Sequence, residues 1–186
     1  SQFRTESTGY GVIHVAEKIL EREREFLDRI RPVERLEGDS LLKGLTTKIM
    51  GYGGVGIYAA YEAERRGARV EMLSEGPGGI VFKEGGFTYQ DLKVLEQLKS
   101  RYGNFMLLND GDPDHAIEGA VLLPLCLAYK TNIYIPSAME NSVTMEELKD
   151  LQADIIAEAA NGAVTSEAYD ALLARGVLVI PDSLAN

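Results

Sequence analysis

Gly51-Tyr52-Gly53-Gly54-Val55-Gly56 decides the fold of this chain. Lys48-Ile49-Met50 before it reads as the end of a strand, and Ile57-Tyr58-Ala59-Ala60-Tyr61-Glu62-Ala63-Glu64 after it reads as a helix. Glu75 follows nineteen residues after Gly56, where a second strand pattern ends. Strand, glycine turn, helix, strand and acid form the grip by which a sheet fold holds the phosphates and ribose of a dinucleotide. In that pattern Gly51 permits the tight turn and Gly53 lets the main chain approach the pyrophosphate. Gly56 lets the helix pack close to the sheet. The bare N–H groups and dipole of the helix start then face negative charge. A glycine turn without a ligand is the plainer alternative for the same residues.

A carboxylate at Glu75 accepts hydrogen bonds from ribose hydroxyls and repels a 2′-phosphate. Gly76-Pro77-Gly78 follows it, with no adjacent lysine or arginine. The pattern therefore favours NAD over NADP, against the alternative of a solvated loop acid.

Outward from the glycine turn, strands and helices alternate. Strands are expected at 46–50, 68–74, 132–135, 154–157 and 177–180, with a short hairpin beginning at 80–82 and a further strand at 105–108. Helices are expected at 10–27, 55–66, 88–101, 144–151 and 165–175. Thr144 and Glu147 form a capping box, and Gly67 and Gly176 are helix stops. Pro32 ends or kinks the first helix. Residues 120–128 read equally as buried strand or helix. Such alternation gives an α/β, doubly wound, Rossmann-like and mostly parallel sheet with helices on both faces. The expected organisation is an N-terminal helix and connection over 1–45 packing on a dinucleotide-binding core over 46–186. Ligands of such sheets sit beyond the carboxyl ends of the strands. Those ends are Gly51, Ser74-Glu75, Pro136-Ser137-Ala138, 158–162 and 182–186.

The 186 residues carry a net charge of −10 without a basic stripe, which argues against nucleic acid or an anionic membrane as partner. No apolar run approaches the roughly 20 residues needed to span a bilayer, and no leader pattern opens the chain. Cys126 is the single cysteine, so an internal disulfide is excluded and a reducing compartment, such as the cytoplasm or mitochondrial matrix, is expected. His14 and His115 stand apart without ligand or triad spacing, and no metal cluster or nucleophile elbow is present. Tyr89 and Lys93 share the Tyr-x-x-x-Lys spacing of short-chain dehydrogenases, but on the wrong helix and with the wrong glycine pattern. An asparagine amide at Asn161, just past a strand, suits a ribose or carboxamide; a turn-forming Asn-Gly pair is the local alternative.

Five blocks, in order, resemble the cofactor-binding domain of the glutamate dehydrogenases, within the glutamate/leucine/phenylalanine/valine dehydrogenase family. They are Ser7-Thr8-Gly9-Tyr10-Gly11-Val12, the glycine turn, Ile135-Pro136-Ser137-Ala138-Met139-Glu140-Asn141, Glu158-Ala159-Ala160-Asn161-Gly162-Ala163-Val164-Thr165, and Arg175-Gly176-Val177-Leu178-Val179-Ile180-Pro181-Asp182 with Leu184-Ala185-Asn186. The resemblance implies that Thr8 meets the nicotinamide carboxamide and that Gly53, Gly54 and Val55 line the pyrophosphate. Ser74 and Glu75 serve the adenosine ribose, Ser137 and Ala138 border the cofactor, and Asn161 and Asn186 face the nicotinamide half. Tyr10 departs from the family's arginine, Gly54 from its asparagine, and Ser137 from an alanine, adding a hydroxyl.

The family's substrate-binding lysines and catalytic aspartate belong to a separate domain whose motif does not occur here, so no catalytic residue is assigned. The resemblance implies one half of an NAD-dependent enzyme, a homo-oligomer when whole, that oxidises L-glutamate to 2-oxoglutarate and ammonia. A non-catalytic NAD-sensing module and the cofactor domain of a related amino-acid dehydrogenase are the alternatives.

Overall fold

The computed structural model describes residues 2–30, 34, 36–75, 79–124 and 129–184. In chain order the elements are α1 (Gln2–Leu20), α2 (Arg24–Ile30), β1 (Thr46–Met50), α3 (Gly54–Arg65), β2 (Arg69–Ser74), β3 (Ile80–Lys83), α4 (Tyr89–Tyr102), β4 (Ala120–Leu123), β5 (Thr131–Pro136), β6 (Ala153–Ala157), α5 (Ser166–Ala174) and β7 (Leu178–Ile180). The strands form one sheet in the order β4-β3-β2-β1-β5-β6-β7. β1 pairs in parallel with both β2 and β5, and β5, β6 and β7 continue in parallel; β3 and β4 join antiparallel at the β2 edge. The strand order reverses between β1 and β5, which creates a crevice beyond their carboxyl ends.

Side-chain alternation along the inner strands sorts the core onto two faces. Ile133, Ile135, Ile155 and Ala157 pack into the larger cluster with α1, α3 and α4. Tyr134, Ile156 and Val179 face the other way, onto Val143, Leu148, Leu151 and the α5 residues Ala168 and Leu172. Burying leucines such as Leu20 and Leu27, both at 0% exposure, stabilises the fold by roughly 1.5–3 kcal/mol apiece.

Three expectations are corrected. The helix expected over 10–27 is two helices, because 21–25 is a charged run that seats nothing on the core between Leu20 and Phe26. Residues 105–108 form a bend and turns rather than a strand: Phe105 is buried against Tyr52, but Met106 is exposed and, among the described residues, no strand pairs with the segment. The helix expected over 144–151 shrinks to one 3-10 turn, Glu147–Lys149. Only one side of the expected capping box forms: Thr144 N–H donates to the Glu147 carboxylate at 3.1 Å and the Thr144 hydroxyl bonds the same group, but Thr144 Oγ accepts from Glu146 N–H at 3.2 Å and the turn starts from Glu146 without a side-chain cap. Of the ambiguous stretch 120–128, Ala120–Leu123 is strand β4, whereas 125–128 with Cys126, Pro32 and the Gly76-Pro77-Gly78 turn lie outside the described residues. No described helix is long and apolar enough to cross a membrane.

Candidate functional site

The glycine turn follows β1 at the middle of the crevice. Gly51 holds φ +99°, in the left-handed region, and a Cβ there would lie 2.8 Å from the Ala138 Cβ. Both backbone freedom and the absence of a side chain are needed at this position. A Cβ at Gly56 would overlap the Gly51 carbonyl, so the α3 start sits directly on the turn. Gly53 differs from both: it is extended, with φ −83° and ψ −166°, and among the described residues no atom beyond its own chain neighbours lies within 4 Å of where its Cβ would be. Neither packing nor backbone conformation requires glycine at this position. Gly53 caps α3 without any side-chain hydrogen bond. The first-turn N–H groups, at Gly54, Val55 and Gly56, have no carbonyl partners within the helix. This is the arrangement that receives an anion.

The surroundings fix the turn. Ser137 N–H donates to Met50 O at 2.8 Å, and the Ser137 hydroxyl donates to Gly51 O at 2.6 Å with Met50 O 3.0 Å away as the alternative acceptor. The extra hydroxyl noted in the sequence thus braces the turn from β5. Gly51 N–H donates to Ser74 O at 3.1 Å, bracing it from β2, while the Ser74 hydroxyl is buried against Met50 Sδ at 3.1 Å. Tyr52 sends its side chain inward, where its hydroxyl donates to Leu92 O at 3.1 Å. Its main-chain N–H stays at the rim and donates to Glu75 Oε2 at 2.7 Å.

Glu75 therefore stands beside the turn, half-buried. Its other oxygen pairs with Lys99 Nζ from the last turn of α4. That cation is twenty-four residues away in the chain and gave no signal in the sequence. Thr8 lies on α1, half-buried. Its neighbour Gly9 crosses α3 closely: a Cβ there would come within 2.7 Å of Val55 O and of Tyr58 Cβ. The glycine of the Ser7-Thr8-Gly9 block is a packing glycine that brings α1 to the α3 start.

At the other end of the crevice Asn161 is exposed, on the loop between β6 and α5. The loop is anchored by Ala159 and Ala160 N–H groups donating to Pro136 O at 3.1 Å each, and by Asn141 N–H donating to Gly162 O at 2.8 Å. Glu158, at the start of the fourth matching block, is buried at the loop's base. Its carboxylate accepts from Val164 N–H at 2.6 Å and from Asp182 N–H at 3.4 Å. Burial pushes the Glu158 carboxyl above the ordinary glutamate value, and the main-chain N–H groups pull it part of the way back. Asn186 lies outside the described residues.

Tyr89 and Lys93 stand apart from the glycine turn. They line a groove of about 400 Å³ on the outer side of α3 with Tyr10, Tyr58 and Tyr61. Lys93 Nζ sits 4.9 Å from the Tyr61 ring centre and 3.1 Å from Glu96, which also accepts the Tyr61 hydroxyl at 2.5 Å. His115 is buried with Nδ1 3.0 Å from Asp110, and His14 is exposed on α1. No group of three or more metal-ligating side chains occurs among the described residues.

The family model for glutamate/leucine/phenylalanine/valine dehydrogenase matches residues 1–186. The chain belongs to that family. A probable glutamate dehydrogenase of Sinorhizobium fredii is 34% identical over 184 residues, 98% of this chain and 38% of the relative. An NADP(+)-dependent glutamate dehydrogenase of Pyrobaculum calidifontis is 32% identical over 183 residues, again 98% of this chain and 38% of the relative. Among solved structures, Plasmodium falciparum glutamate dehydrogenase 2 superposes with a TM-score of 0.79 at 21% identity, covering 100% of this chain and 38% of that one. A hetero-hexameric glutamate dehydrogenase from Thermus thermophilus gives 0.71 at 22% identity, covering 98% and 36%. The likeness extends to the fold in both cases. The chain spans between 33% and 39% of the length of these and similar curated relatives.

Proposed function

We propose that this chain is the cofactor-binding part of a glutamate dehydrogenase and that it holds NAD in the crevice between β1 and β5. The observation that carries the reading is Gly53: an uncapped helix start, open to solvent, beside a carboxylate at the end of β2. The pyrophosphate lies on the first-turn N–H groups of α3, at Gly54, Val55 and Gly56, and Gly53 leaves it room to approach. The Glu75 carboxylate receives the hydroxyls of the adenosine ribose. The dinucleotide then extends over Ala138 toward Asn161 and Thr8, with Asn186 assigned to the same end. When bound, the nicotinamide ring supplies hydride transfer. The residues here orient it, and the groups that grip L-glutamate or 2-oxoglutarate belong to a domain outside these 186 residues. The complete enzyme is read as a homo-oligomer in a reducing compartment.

NAD is favoured over NADP because Glu75 repels a 2′-phosphate. Lys99 neutralises part of that charge and softens the preference. Titrating the chain with NADH tests the reading: nicotinamide fluorescence should rise and saturate, and a flat response at millimolar cofactor would overturn it.

A further inference from the structure

We propose that Glu158 is a positioning residue for the nicotinamide half of the cofactor, its buried carboxylate fixing two separate rims of the crevice at once. The inference rests on the cofactor reading above and assigns a role within it. The acid after β2 takes the adenosine end, so the rest of the dinucleotide must run the other way along the carboxyl edge, past the β1–β5 switch point toward β6 and β7. Glu158 stands at the end of β6 on that path, 6% exposed. One oxygen closes the loop bearing Asn161 by accepting the Val164 N–H at 2.6 Å, and the other accepts the Asp182 N–H from the turn after β7 at 3.4 Å. Its own N–H donates to Ile180 O at 2.9 Å, which fixes the base of the clamp on β7.

A buried carboxylate is costly to retain. Among the described residues Glu158 has no cation as a salt-bridge partner, and the nearby Asp182 charge raises the cost. Ordinary loop closure does not need such a group. Two main-chain donors on two different segments do, because only a carboxylate offers two acceptor atoms in this geometry. The Asn161 loop is held from outside by the 141–143 segment, through Asn141 N–H to Gly162 O and the bridge between Val143 and Val164. Glu158 supplies the inner tie and sets the separation of the Asn161 loop from the 182–184 turn.

The test separates this role from general stability by comparing NADH with ADP-ribose, which lacks the nicotinamide. Glu158→Gln keeps the size but presents an NH2 to one of the two N–H donors. In the variant, NADH affinity should fall about 10-fold, as expected for a lost charge-assisted bond, while ADP-ribose affinity stays within about 2-fold. Equal loss for both ligands, or loss for neither, would overturn the proposal. Hydrogen exchange on the unsubstituted chain decides the matter if the variant does not fold. NADH should slow exchange at the Val164 and Asp182 amides and ADP-ribose should not; equal slowing by both, or by neither, overturns it. Failure of the unsubstituted chain to bind ADP-ribose would instead remove the cofactor reading on which the proposal stands.

Discussion

Two glutamates end two strands of the same sheet, and they live in opposite surroundings. Glu75, after β2, is half-buried and carries a lysine on one oxygen and one main-chain N–H on the other. Glu158, after β6, is buried, and both of its oxygens accept main-chain N–H groups. The first is partly exposed, with a partly exposed lysine side chain as its partner, so a ligand hydroxyl can compete for it. The second is enclosed by the backbone it organises. Position at a strand's carboxyl end is shared; what differs is whether the partner can be displaced. That difference divides a group suited to touch a cofactor from one suited to hold the walls around it.

The largest effect is expected where the comparison collapses altogether. Gly56→Val drives side-chain atoms into the Gly51 carbonyl. It should cost about 3 kcal/mol of stability in urea denaturation and abolish NADH binding, because the proposed pyrophosphate site is built on that turn. Retained stability would mean that the turn can relax independently of α3. Next comes Glu75→Ala, which should weaken NADH and ADP-ribose alike by about 10-fold, about 1.4 kcal/mol, and narrow the gap between NADH and NADPH in calorimetric titration. A loss confined to NADH would place Glu75 at the wrong end of the crevice. A smaller effect is expected from Lys99→Met. NADPH affinity should fall about 3-fold and NADH affinity should hardly change, as for a half-exposed charge; equal changes would give Lys99 no part in discrimination.

The smallest effect contrasts signs of pH dependence. Burial works to raise the Glu17 pKa, but bonds from the Ser40 hydroxyl, the Leu41 N–H and Arg66 outweigh it, and the group lies below the ordinary glutamate value. Its stabilisation is complete above the unfolded value of about 4.3 and is lost as pH falls through the lowered native value. Glu158 is shifted upward, so its ionisation reduces stability as pH rises from that unfolded value to the raised native one. Urea midpoints followed across pH should therefore decline less on acidification in Glu17→Gln, and Glu158→Gln should flatten the curve above the unfolded value. The same response in both variants would contradict the assigned shifts.

The glycine turn, the alternation and the acid after β2 were legible in the sequence because each depends on local spacing. Gly51 must adopt positive φ, Gly56 must lie under the turn, and both demands act within six residues. Lys99 was not legible, since its meeting with Glu75 depends on how α4 lies against the sheet. Ser137 was read as a hydroxyl for the crevice, but the Gly51 carbonyl claims it, which only the β1–β5 register decides. Thr144 and Glu147 bond each other as the sequence suggests, but the short turn beside them starts from Glu146 and they do not cap it: side-chain pairing is local, whereas helix length is set by what the segment packs against. Phe105 filled the core from a turn, where an apolar run had suggested a strand.

Gly53 carries one further consequence. Its backbone angles suit any amino acid and no neighbour crowds it, so folding exerts no demand for glycine there. A single codon change to alanine or serine would leave the architecture whole and put atoms where the proposed pyrophosphate would come. Evolution could silence such a protein in one step without unfolding it, and the experimenter obtains by the same step an intact, cofactor-blind control.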